Sequence, residues 1–153
     1  MKHQIGFYCP HITVMPHHRL IVDVLNGLTT SSTNTILFNT IYEQTDNNRK
    51  FCLLPSVNAR YFYGILFCFD VDSLSIINSF PGPSHKVFIA DSIVWQNKFL
   101  PSTTWNNLLN SQTKIVTLNK KTYDLYSICF DQPILNMQDG FNLQECQNVI
   151  QSL

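Results

Sequence analysis

Apolar and polar positions along this chain switch repeatedly between a continuous run and a helical spacing. "QIGFYC" (4–9) is an unbroken apolar run closed by Pro10, the pattern of a strand buried on both faces. Pro16 then opens "PHHRLIVDVLNGL", where Leu20, Ile21, Val24, Leu25 and Leu28 recur at helical spacing. A proline in the first turn and Gly27 near the end fit a helix of about three turns. "NTILFN" (34–39) and "RKFCLLP" (49–55) predict a second and a third strand, joined through the polar stretch "EQTDNNRK". The aromatic run "NARYFYGILFCF" (58–69) is long for a strand and predicts a buried helix. "SLSIINSF" (73–80) predicts a fourth strand, broken off by "PGP" (81–83).

The same alternation continues to the end. "KVFIAD" (86–91) predicts a strand ending in an acid, and "STTWNNLLNS" (102–111) a short helix capped by Ser102 or Thr103. "TKIVTL" (113–118) predicts a strand, "KKTYDLYSICF" (120–130) a helix, and "PILNM" (133–137) the last strand. After Asp139-Gly140, "LQECQNVIQSL" puts Leu143, Cys146, Val149, Ile150 and Leu153 on one helical face. Strands that are short apolar runs alternating with helices predict an α/β fold. The expectation is a single three-layer Rossmann-like domain over 1–153, its mostly parallel sheet flanked by helices and built with right-handed crossovers.

Composition narrows the functional classes. The 153 residues are 44% hydrophobic but only 13% charged, and fifteen asparagines help to supply the polar surface. Ten basic residues balance ten acidic ones, which argues against a nucleic-acid partner. The cysteines at 9, 52, 68, 129 and 146 are widely spaced, odd in number and without a CxxC pair. They read as buried free thiols, not as a disulfide framework or zinc site. No window has the length of a membrane span, the N-terminal apolar run is too short for a signal peptide, and no N-x-[ST] sequon occurs. A cytoplasmic protein without a membrane partner is expected. G-x-G-x-x-G, the P-loop, G-x-S-x-G and H-E-x-x-H are all absent, so no cofactor or metal is expected either.

In an open parallel sheet, ligands sit beyond the carboxyl ends of the strands. The segments that follow the predicted strands carry His11, His17 and His18, then Ser56 with Asn58 and Arg60, then Asp91, Asn119 with Lys120, and Asp139-Gly140. His11 and Asp91 are the catalytic candidates, a base titrating near neutrality and a carboxylate to orient it or to hold a sugar. Their plainer reading is a solvent-facing loop histidine and a capping or loop aspartate. His17-His18 reads best as two polar residues of a helix's first turn, because adjacent helical side chains point about 100° apart. The aromatic run reads as core before it reads as a stacking platform. Asp139-Gly140 reads as a tight turn or as a ligand contact.

The order of elements resembles the N-terminal half of a GT-B glycosyltransferase. The likeness is carried by "TKIVTLNKKTYDLYSICFDQPILNMQDGFN" (113–142), where Gln138-Asp139-Gly140-Phe141-Asn142 is similar to that group's "P-D-G-V-D" turn, and by "VFIADSIVW" (87–95). The resemblance implies an acceptor-side domain with His11 and Asp91 as catalytic residues and Ser56, Asn119, Asp139 and Gly140 as binding residues. It implies a sugar nucleotide or sugar acceptor as ligand, a hinge at Asp139-Gly140, and a partner chain supplying a second domain with an E-x(7)-E pair. The loop "PHITVMPHH" departs from the family's glycine-rich loop. The alternative is a stand-alone, non-catalytic Rossmann-like binding or interaction module, working as a homodimer. Replacing His11 with Ala should leave the fold intact, because the loop position is expected to face solvent. A melting-temperature loss of many degrees would instead make His11 a core residue.

Overall fold

The interior strand β1 (His3–Tyr8) pairs in parallel on both sides, with β2 (Thr33–Asn39) and with β4 (Ile65–Cys68). The computed structural model describes residues 3–10, 18–39, 49–90, 113–129 and 133–153. With β3 (Cys52–Pro55), β5 (His85–Ala90), β6 (Lys114–Thr117) and β7 (Ile134–Asn136), the strands form one sheet in the order β3-β2-β1-β4-β5-β6-β7. Every pairing in it is parallel. The expected α/β, three-layer, Rossmann-like architecture is therefore what the chain adopts.

Side-chain alternation along β1 shows why both faces must be covered. Ile5, Phe7 and Cys9 enter one apolar cluster, whereas Tyr8 enters the other. Helix α1 (His18–Leu28) covers the first face with Ile21, Val24, Leu25 and Leu28, together with Cys146 and Val149 of the last helix, Leu143–Ser152. The second face is covered by Ala59 of a 3-10 turn (Ser56–Tyr61), by Leu74 and Ile77 of α2 (Val71–Ile77), and by Tyr126 of α3 (Lys120–Cys129). The last helix is α4. Fully burying one such side chain contributes about 1.5–3 kcal/mol. A right-handed crossover from β1 to β2 runs across the sheet in one direction, and one from β4 to β5 in the other, so the two helices must lie on opposite faces. α1 and α2 do.

Two expectations are corrected between residues 58 and 80. The aromatic run 58–69 is not a helix, and 73–80 is not a strand. The run is divided at Gly64, whose φ of 142° lies outside what side-chain-bearing residues readily adopt; the 3-10 turn precedes it and β4 follows it. Phe62 and Phe67 are buried, as the core reading of the run expected, while Tyr61 and Tyr63 are exposed. Downstream, Asp70 caps α2, its Oδ1 accepting from the Ser73 backbone N–H at 2.7 Å and its Oδ2 from the Ser73 hydroxyl at 2.8 Å. That cap selects a helix for a segment whose Ser-Leu-Ser-Ile alternation imitates a strand. The helix expected over 102–111 lies outside the described residues.

Gly64 and Gly140 test how much backbone freedom the fold uses. A Cβ on Gly64 would lie 2.3 Å from the Gln4 carbonyl oxygen, whereas one on Gly140, φ 78°, would meet nothing within 4 Å. Gly64→Ala should therefore cost roughly 3 kcal/mol, combining strain and overpacking, and Gly140→Ala about 1 kcal/mol. Urea denaturation of both variants checks the ranking; equal losses would contradict it.

Candidate functional site

In a doubly wound sheet the loops diverge where successive crossovers leave on opposite faces, and the crevice between them is the ligand site. Here that point lies between β1 and β4. Its described walls are Tyr8 at the end of β1 with Cys9 and Pro10 beyond it, and Cys68 at the end of β4 with Phe69 and Asp70 beyond it. Asn39 ends the neighbouring β2. Asn39 is buried and its amide donates to the Cys9 carbonyl at 3.4 Å, while the Cys9 N–H donates to the Phe38 carbonyl at 2.9 Å. These bonds hold the exit of β1 against β2. On the first face, Phe69 packs edge-on against Phe141 at 5.3 Å between ring centroids, and Phe7 touches both rings. The segment after β7 thus returns across the sheet to close one side of the crevice.

Burial, with Asp70 adding to it, sets the local electrostatics. Burial pushes the Tyr8 hydroxyl above its ordinary 10.0, and the Asp70 and Cys68 charges add to that shift. Burial also pushes the Cys9 and Cys68 thiols well above their ordinary 9.0, again reinforced by Asp70. Thiols that remain protonated at neutral pH are poor nucleophiles. The described part of the crevice therefore offers hydrogen bonding and a carboxylate, not an activated nucleophile. Among the described residues, no cluster of three or more His, Cys, Asp or Glu could hold a metal ion.

Of the sequence-derived candidates within the described residues, Ser56 stands apart from Asp139 and Gly140. His11, His17 and Asp91 lie outside the described residues; the strands that precede His11 and Asp91, β1 and β5, are separated by β4. Ser56 opens the 3-10 turn after β3, at one edge of the sheet. Asp139 and Gly140 form the turn after β7, at the opposite edge, roughly 29 Å away at the usual inter-strand spacing. The Gly140 N–H donates to the Met137 carbonyl at 3.1 Å, and the positive φ fits the turn reading. That turn leads into α4, which packs on α1 and the first face of this same domain. Asn119 is a helix cap, its Oδ1 accepting from the Thr122 N–H at 2.9 Å and the Thr122 hydroxyl at 3.0 Å.

Asp70 and Asn39 went unnoticed in the sequence. Asp70 was hidden because the helix assigned to 58–69 left it at no strand end; the Asp70-x-x-Ser73 capping pattern was the signal that could have revealed it. Cys52 departs from the buried-thiol expectation, being exposed, whereas Cys9, Cys68 and Cys146 are buried. Compared with protein-family models, with curated proteins and with solved structures, the chain matches none.

The buried thiols make stability depend on alkaline pH. Cys9 and Cys68 are raised in the folded chain, and Cys146 is pushed up to about 12 by burial. A raised folded value gives stabilisation that is complete below the ordinary 9.0 and is lost as pH rises through the folded value. Lys86, lowered by burial, acts in the opposite sense. Each thiol contributes a slope of at most about 1.4 kcal/mol per pH unit in that window. Urea midpoints should hold steady from about pH 7 to about pH 8.5 and fall above about pH 9. A profile that is flat to about pH 11 would count against the buried-thiol assignment.

Proposed function

We propose that this chain is the acceptor-side Rossmann-like half of a sugar-nucleotide transferase, binding its ligand in the crevice between the carboxyl ends of β1 and β4. The observation that carries the reading is the seven-stranded, all-parallel sheet whose order reverses beside β1, the strand that leads into the segment bearing His11. A fold of this kind hosts many chemistries, so the transferase class rests on the resemblance of residues 87–95 and 113–142 to GT-B enzymes. In this reading His11 acts as base or acceptor contact, with Asp91 as its carboxylate. Asn39 and Asp70 line the same edge, and a second domain completes the donor site. A cytoplasmic location accompanies it, supported by the free thiols of Cys9, Cys52, Cys68 and Cys146. Among the described residues no helix is long and apolar enough to cross a membrane.

A second reading, a non-catalytic binding or interaction module, is favoured by a different observation. Asp70 and Asn119 are committed to helix caps, and Val57, Tyr61 and Tyr63 are each at least 73% exposed around the 3-10 turn. Apolar side chains exposed together in that way suit a protein contact.

A thermal-shift titration with a panel of sugar nucleotides and simple sugars separates the two. A ligand at a hundred times its dissociation constant stabilises a fold by about 2.7 kcal/mol, a shift of several degrees at this size. A shift with one panel member, reduced in Asp70→Asn, which keeps the cap and removes the charge, is the expected result. Silence across the panel, together with a dimer on sedimentation that Tyr61→Ser disrupts, would replace the transferase reading with the module.

A further inference from the structure

The amino edge of the sheet, opposite the switch-point crevice, carries a separate opening. A cleft of about 600 Å³ lies where β5 and β6 begin, lined in part by Asn78, Ser84, His85, Lys86, Thr113 and Lys114. The register accounts for this grouping. Val87 is the Cα partner of Lys114, so Lys86 opposes Thr113, and alternation sends Lys86 and Lys114 to opposite faces of the sheet. A cation therefore flanks the cleft from each face. Its described lining holds two lysines and a histidine but no aspartate or glutamate.

Asn78 supplies the second observation. Its carbonyl accepts from the Lys86 ammonium at 3.2 Å and its Oδ1 from the Thr113 hydroxyl at 3.1 Å, but its Nδ2 is buried without a hydrogen-bond partner. Buried amide N–H groups are nearly always paired, so an orphan beside a basic cleft points to an acceptor that occupies the cleft. The Lys86 ammonium is itself partly withdrawn from water, which lowers its pKa and strengthens its pull on an anion. Ser84 adds a hydroxyl, within 3.3 Å of the His85 Nδ1.

We infer that this amino-edge cleft binds the phosphate group of a small phosphorylated molecule, with Lys86 and Lys114 as counter-charges and the Asn78 amide as a hydrogen-bond donor. Donors arriving from both faces of the sheet suit the tetrahedral oxygens of phosphate better than the planar pair of a carboxylate. The volume suits a ligand of small-molecule size. The inference stands apart from the transferase reading, because it concerns the other edge of the sheet.

The test is a titration of the full chain with inorganic phosphate at constant ionic strength, chloride making up the balance, followed by NMR at the Asn78 side-chain amide. The expected result is a saturable shift of that amide, weakened at least about tenfold in Lys86→Met and in Lys114→Met. Lys50→Met, an exposed lysine elsewhere, controls for the loss of one charge. Two lysine variants guard against either one failing to fold, and the spectra report folding directly. No saturation up to roughly 50 mM phosphate, or equal affinity in both variants and the control, would overturn the inference. A sugar nucleotide whose thermal shift survives both lysine variants binds at the other edge, so the two proposals fail independently.

Discussion

The handedness of parallel crossovers shapes every layer of this molecule. Parallel strands cannot be joined by a tight hairpin, so each connection must cross a face of the sheet, and it does so right-handedly. Starting from β1, the path to β2 lays α1 on the first face. The later path through β4 and β5 lays the 3-10 turn and α2 on the second. Burial follows from that geometry. β1 loses both faces to helices, which is why it must be apolar at Ile5, Phe7 and Tyr8 alike, with Cys9 buried beyond its end.

The same constraint creates the crevice. Because α1 and α2 depart to opposite sides, the chain parts between the carboxyl ends of β1 and β4, and what lines the gap is set by where those strands stop. Asp70 falls there and does two things at once: it caps α2 and it adds to the upward shift that burial imposes on Tyr8, Cys9 and Cys68. The return of the chain from the β7 edge brings Phe141 against Phe69 and Phe7, so a residue far along the sequence closes the same crevice.

Two edges of one sheet thus carry two different polar environments. The carboxyl edge concentrates a carboxylate, an asparagine and protonated thiols. The amino edge gathers Lys86, Lys114, His85 and the unpaired Nδ2 of Asn78. With formal charge balanced over the whole chain, this separation is invisible in composition and exists only because parallel strands put all their starts on one side.

The sequence by itself determined the α/β class, six of the seven strands, α1, α3 and α4, because continuous apolar runs and helical spacing are local signals that tertiary packing did not reverse. It misread 58–80, where Gly64 and the Asp70 cap act through backbone conformation and a single hydrogen bond that apolar periodicity does not register. Only the tertiary structure decided the strand order, and with it that Ser56 and Asp139 stand at opposite edges while Asn39 and Asp70 flank the carboxyl end of β1 from the strands on either side. The reason is physical: pairing between strands is set by long-range burial and crossover geometry, neither of which leaves a mark on the residues of any one strand.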